Sequence, residues 1–501
     1  MKSDNTRPTF NKPRRYTRLI FQQGRPPIDA DFNEAHEIQL QMLRSYAADL
    51  IGDQGAVGGA FEITPERGAE EGGKLPVKDL AIGTGRYYVD GMQCENGADA
   101  VKLSTQPFSG PTADDLLKKP ITVPPLVYLD VWEHHRTWIE DDVLRDPALG
   151  GSDTGTRSRT VWEVRLLSED KWTADEKKNF AKKGFAWKEA LESRDGANHR
   201  KLRVRFNAGA HGGSDCDVDA DARYRGVENQ LYRVEIHRAG LALPSSADPD
   251  DPKDPDKKKF LDERAHAATF KWSRENGSVA ARWVKARDCD PADGTVLRIE
   301  GPRDEVHGFS AGDWIEITEE VDDLRRRGGI FAQIKRAEGD ALTLEAPLGE
   351  ALPAWDKLKN PKVRRWDQRD TGNQFFEHGA LVIREKEIVR SKEQPVWIPL
   401  ENGLEIRFEQ GTPSHYYRTG DYWLIPVRVS TGDFLWPWRD PSPDGAAGAD
   451  EAQPPHGIEH HYAPLAIVDA LSSKKAAKKT AETTTSLIDL RPVITPLAKP
   501  A

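Results

Sequence analysis

The chain has 501 residues, 37% hydrophobic and 31% charged, with fourteen Trp, sixteen Phe and eleven Tyr. That is enough apolar material for about three cores, and it excludes a globally disordered chain. A net charge of −10 has the wrong sign for a general nucleic-acid binder. No apolar run approaches the roughly 20 residues a membrane helix needs, so no membrane insertion is expected.

The chain opens with "MKSDNTRPTFNKPRRYTR", which is basic but lacks the apolar stretch of a secretory signal. Synthesis in the cytoplasm without a signal peptide is expected, with release by lysis as the route outward. Asp31 and Glu34 then read as a capping box, an acceptor at the N-cap and a carboxylate reaching back from N3. Phe32, Ala35, Ile38, Met42, Leu43, Tyr46, Leu50 and Ile51 follow at helical spacing, and Gly52 supplies a stop. A strict heptad from Phe32 would place Gln39 and Asp49 in the seam, which disfavours a long coiled coil. The helix is expected to pack on its own sheet or on a neighbouring subunit, with Phe32, Ile38, Met42, Leu43, Tyr46 and Leu50 as assembly residues.

From about residue 77 the pattern becomes that of strands. "GRYYVDGMQCE", "PLVYLDVWEHH", "SRTVWEVRLL", "NQLYRVEIHRAG" and "TVLRIEG" are short, rich in β-branched and aromatic residues, and punctuated by turns. Residues 168–196 break this run with a helical composition anchored by Phe180 and Trp187. Residues 294–350 have the rhythm of a small inserted β-barrel, and "NGLEIRFE", "GDYWLIPVRV" and "HHYAPLAIVDA" form a later β region. The expected fold class is mainly β, several small barrel or sandwich modules with one N-terminal amphipathic helix, α+β overall. The expected divisions are an arm and attachment helix at 1–60, a β domain at 61–293 and the barrel at 294–350. A second β domain at 351–470 and a flexible tail at 471–501 complete them.

The chemical motifs are sparse. Cys94, Cys216 and Cys289 are odd in number and dispersed, with no C-x-x-C, so neither a disulfide framework nor a thiolate zinc site is expected. Gly308-Phe309-Ser310-Ala311-Gly312 matches G-x-S-x-G, but a strand follows where a nucleophile elbow needs a helix. Asp217, Asp219, Asp221 and Glu228 stand at calcium-loop spacing. Ala222 replaces the turn glycine and two arginines enter the loop, so a solvated acidic loop is the default reading. His456, His460 and His461 are the candidate ligands for a transition metal. Adjacent histidines on a strand face opposite ways, however, which favours hydrogen-bonded structural roles and no cofactor. Trp423, Trp436 and Trp438 are candidate platforms for a cell-surface glycan, set against the commoner role of core aromatics. No carboxylate pair is marked out by its spacing, so no catalytic residue is nominated.

Taken in order, "QQGRPPIDADFNEA", "GRYYVDGMQCEN", "VYLDVWEHH", "ALGGSDTGTRSRTVWEVRLL", "ENQLYRVEIH", "FKWSRENGSV", "GDYWLIPVRV" and "PHGIEHHYAPLAIV" resemble an uncharacterised family. Its members accompany phage tails and phage-tail-like contractile injection systems. The resemblance covers about residues 16–470, and the opening motif is similar to the attachment end of tail-fibre and baseplate-attached proteins. It implies a non-catalytic structural or host-facing component whose partners are other subunits of the particle. It also implies a homo-oligomer, with a trimer among the forms considered. The alternatives are a glycan- or receptor-binding module of the same particle and a metal-dependent enzyme. The excursion at 168–196, the loop around Asp217 and the linker at 244–259 read as local elaborations.

Overall fold

A computed structural model describes residues 2–67, 77–97, 101–106, 126–149, 152–167, 186–195, 200–207, 223–244, 257–285, 295–301, 308–348, 355–370, 375–389, 392–409, 417–436, 452–469 and 486–494. The fold is mainly β. Its longest helix, α1, spans Asp29–Ile51, and short helices cover Trp187–Asp195, Lys257–His266 and Glu320–Arg325. None of the described helices is long and apolar enough to cross a membrane.

Three β modules are nested in the chain. The outermost is a sandwich. One sheet has the order Val493–Ile494, Gln54–Val57, Gly85–Val89, Met92–Asn96. The facing sheet has the order Ser486–Asp489, His460–Asp469, Leu126–Arg136, Arg157–Leu167. Tyr87, Val89 and Met92 from one sheet meet Val127, Leu129 and Leu465 from the other, as alternation on a half-buried strand requires. Leu126–Arg136 is covered on its second face as well, where Leu126 and Tyr128 meet Trp187 and Leu191 of a short helix. Burial on both faces is why this strand reads as a continuous apolar run.

The second module interrupts the first between residues 167 and 460. Its six-stranded sheet runs Phe376–Glu377, Ala380–Val382, Thr269–Ser273, Gln230–Arg238, Tyr422–Arg428, Asp433–Phe434, and it packs on Lys201–Phe206, Leu404–Glu409 and Ile398–Pro399. The third module interrupts the second. Six antiparallel strands close a barrel in the order Ala280–Val284, Val296–Glu300, Ala341–Leu344, Ile330–Glu338, Trp314–Thr318, Lys362–Trp366. Val279, Trp283, Ile315, Ile334 and Val363 fill its interior.

This nesting corrects three expected boundaries. The barrel spans 280–366, because strands outside 294–350 supply its closing pair, Ala281 opposite Val363. Residues 61–293 and 351–470 are not consecutive domains: Tyr232 pairs with Ile425, and Val131 pairs with His461. The stretch 471–501 is not simply a tail, since Val493 pairs in parallel with Ala56 and Arg491 is buried, donating to the Ala60 carbonyl at 2.6 Å. Of the excursion at 168–196, the described part is the helix Trp187–Asp195. Phe180 lies outside the described residues.

Candidate docking surface

The N-terminus of α1 is built differently from the expected capping box. The helix begins at Asp29, immediately after the Pro26–Pro27 pair, with Ile28 at the N-cap in an extended conformation. Asp31 is therefore the N3 residue, and its carboxylate accepts from the Ile28 amide at 3.1 Å. Glu34 falls a turn later, outside the box. The earlier start has a partner in the preceding arm: Asp29 accepts from the Thr6 amide at 2.8 Å and from the Thr6 hydroxyl. Both carboxylates sit in the first turn, where the helix dipole favours negative charge.

The expected apolar face divides. Ile38 is buried, but Phe32, Met42, Leu43, Tyr46 and Leu50 are exposed, Leu50 at 86%. At about 100° per residue, Ile38 lies roughly 120° round from Phe32 and Leu50, so one contact cannot cover both. Apart from Ile38, the side turned away from solvent is mostly polar or small. Arg44 pairs with Glu133 at 2.7 Å, Gln41 bonds Ser45 at 3.0 Å, and Ala30 is buried. The backbone approaches closely there: a Cβ on Gly91, whose φ is +77°, would lie 2.1 Å from the Arg44 carbonyl oxygen.

The apolar stripe thus faces outward, the reverse of an ordinary surface helix. The arm before it extends the patch. Tyr16, Ile20 and Phe21 are exposed, and the Phe21 ring leans on Phe32 with centroids 5.6 Å apart. Nine of the seventeen large exposed apolar side chains among the described residues fall between Tyr16 and Leu50. Such a concentration calls for an explanation, where scattered exposed apolar residues would need none. The arm residues had a sequence signal that the helix pattern overshadowed: aromatic and basic residues together, with no Asp or Glu from Arg7 to Ile28.

The other candidate residues are dispersed. Trp423 and Trp436 are buried in the second module, and the Trp423 indole donates to the Gln453 carbonyl at 2.9 Å. Neither presents a sugar platform, and Trp438 lies outside the described residues. His460 and His461 do face opposite ways. His460 Nδ1 is 2.6 Å from Asp130 in the buried layer, and His461 Nδ1 is 2.8 Å from Asp90. His456 stacks on Tyr422, its Nδ1 3.3 Å from the Leu424 amide. The described residues contain no group of three or more His, Cys, Asp or Glu placed to hold a metal. Asp217, Asp219 and Asp221 lie outside the described residues, and Glu228 is exposed. Gly308–Gly312 forms the turn into the barrel strand Trp314–Thr318, where the Ser310 amide donates to Asp313 at 2.8 Å. A cleft of about 370 Å³ opens beside Arg225, Glu401, Asn402 and Glu405. Its carboxylates are already engaged, Glu401 by Arg274 at 2.8 Å and Glu405 by Arg205 at 2.8 Å.

A buried ionic seam, which sequence reasoning missed, joins the three modules to the chain's start. Lys271 of the second module holds Glu316 of the barrel at 2.6 Å and Glu235 at 3.2 Å. The Trp366 indole donates to Glu316 at 2.8 Å. Lys362 of the barrel reaches Glu140 of the outer module at 2.7 Å and also pairs with Asp323. Lys2 reaches Glu235 at 3.0 Å, and Asn276 donates to the Ser3 carbonyl at 2.9 Å. Burial opposes ionisation of Glu235, but Lys2, Arg233 and Lys271 outweigh it and hold the carboxyl down at about 2. Glu140 is likewise held at about 2 by Lys362 and Thr137 against its burial. No short sequence motif marks the crossing pairs, because Glu316 and Glu140 take their lysines from another module.

No curated protein and no solved structure matches the chain. One family model does, over residues 1–199 and 181–489, and it is described as a family of unknown function, DUF6519. With nearly its whole length covered, the chain belongs to that family.

Proposed function

We propose that the protein is a non-catalytic assembly component of a phage-tail-like contractile injection particle, joined to its neighbours through the arm and α1. The observation that carries this reading is the outward-facing stripe of Phe32, Met42, Leu43, Tyr46 and Leu50 on a helix whose inner side is mostly polar or small. Such a stripe is stabilised only when another surface covers it, at about 25 cal/mol per Å² of apolar area removed from water. The ordered run of motifs from "QQGRPPIDADFNEA" to "PHGIEHHYAPLAIV" supports the particle as its setting. The nested β modules, tied by the ionic seam, would form a stiff body behind the attachment end.

The test uses the double substitution Leu43→Asp with Tyr46→Asp in the full chain. Both side chains are exposed, so the body should keep its melting temperature within a few degrees. The protein should disappear from purified particles, as judged by mass spectrometry and electron microscopy. Normal incorporation of the variant would refute the reading. Removal of residues 1–52 is a poorer test, since it also takes Lys2 and Ser3 out of the buried seam.

A further inference from the structure

We infer that the surface covering α1 is a second copy of this chain, with the basic arm of one copy lying along the acidic helix of the other. This rests on the docking role proposed for α1 and names the occupant.

Charge is the first argument. From Arg7 to Ile28 the charged residues are Arg7, Lys12, Arg14, Arg15, Arg18 and Arg25, all basic. From Asp29 to Ile51 they are Asp29, Asp31, Glu34, Glu37 and Asp49, with Arg44 as the single arginine. Arg44 is turned inward onto Glu133 and Glu34 and Glu37 are half-buried, so the exposed side of the helix carries the apolar stripe with Asp29 and Asp49 and no lysine or arginine. The arm is basic and apolar, with Tyr16, Ile20 and Phe21 exposed. The two segments are complementary in charge and alike in apolar content, which gives an interface both attraction and register.

Exposure and length agree. Between Lys12 and Asp29 every residue but Leu19 is exposed, so this run of chain gains almost no burial from its own body. The α1 helix has 23 residues, about 34 Å of length at about 1.5 Å per residue. The segment Arg15–Gln22, ahead of the turn closed by the Arg25 amide on the Gln22 carbonyl, would cover about three quarters of that distance at about 3.3 Å per residue. The Phe21–Phe32 contact and the Thr6–Asp29 bonds fix where the arm leaves its own helix. The basic stretch between those two points, Lys12 to Arg18, is exposed and is the part a neighbour can take up. A surface carrying both halves of a complementary pair can close on a second copy without any other partner, as homo-oligomeric interfaces do.

Sedimentation of the purified full-length chain tests this. The expected mass is a multiple of 56.0 kDa, falling to a single chain for Leu43→Glu with Tyr46→Glu. Arg15→Glu with Arg18→Glu should weaken association about tenfold or more, and adding Asp49→Lys should restore part of it. A wild-type chain that stays a monomer at about 100 µM and low salt overturns the inference. So does an oligomer indifferent to all of these substitutions. A monomer whose Leu43→Asp, Tyr46→Asp variant is nevertheless lost from particles would sink self-association while leaving the docking role standing.

Discussion

At the scale of single residues, burial decides between roles that sequence leaves open. Trp423 is a candidate sugar platform by sequence, set against the commoner role of a core aromatic. Its side chain is fully enclosed, with its one donor satisfied by the Gln453 carbonyl, so its contribution is to packing. Trp423→Ala should cost about 3–5 kcal/mol, the range for deleting a large buried aromatic. Thermal melting would show this as a loss of the folded state. A variant that melts like the wild type would show that the tryptophan is not part of the core. Asp29 moves the other way. No ordinary helix pattern assigns it, yet it receives the Thr6 amide and hydroxyl and so fastens the arm to the helix.

At the scale of the element, α1 depends on one glycine beyond its own sequence. Gly91 sits in the Asp90–Gly91 hairpin turn with φ of +77°, and its missing Cβ makes room for the Arg44 carbonyl. Gly24 has a similar φ of +73° with nothing within 4 Å of where a Cβ would be. Alanine at either position incurs the left-handed penalty of about 1–2 kcal/mol, but only Gly91→Ala also pushes the helix off the sandwich. Gly91→Ala should therefore destabilise by about 1–3 kcal/mol more than Gly24→Ala. It should also speed hydrogen exchange in the second half of α1. Equal effects of the two substitutions on stability and exchange would mean that the helix does not rest on the turn.

The element scale also shows what the sequence could tell. Phe32, Met42, Leu43, Tyr46 and Leu50 were legible as one stripe because helical period is a local property. Which way the stripe pointed was not legible, because Arg44 is turned inward by Glu133, 89 residues away in the chain. Strands were legible for the same local reason. Their pairing was not, since a half-buried strand specifies a face and leaves its neighbour open. Hence the barrel was found but cut short, and Tyr232 was not connected to Ile425.

At the scale of the whole molecule, the modules are coupled through charges whose ionisation depends on being folded. Glu140 and Glu235 are held at about 2 in the fold, against about 4.3 for an unperturbed glutamate. The unfolded chain therefore takes up protons first as pH falls, and stability declines. Their contribution is complete above about pH 4.3 and is lost as pH drops toward about 2, on the order of 3 kcal/mol each. The buried histidines act at higher pH. Burial lowers His134, and it lowers His460 despite Asp130 beside it. The unfolded chain thus gains protons below about pH 6.5 while these rings stay neutral. The melting temperature should be highest near neutrality, decline gently below about pH 6.5, and fall steeply below about pH 4.3. Because Lys362 joins the barrel to Glu140 of the outer module, and Lys271 joins the second module to Glu316 of the barrel, acid should unfold all three together. Tryptophan fluorescence and far-ultraviolet circular dichroism should then give coincident acid transitions. High salt should move the midpoint little, since buried pairs are poorly screened. Separate transitions by the two probes, or a melting temperature unchanged from pH 7 to pH 3, would show that the seam does not couple the modules.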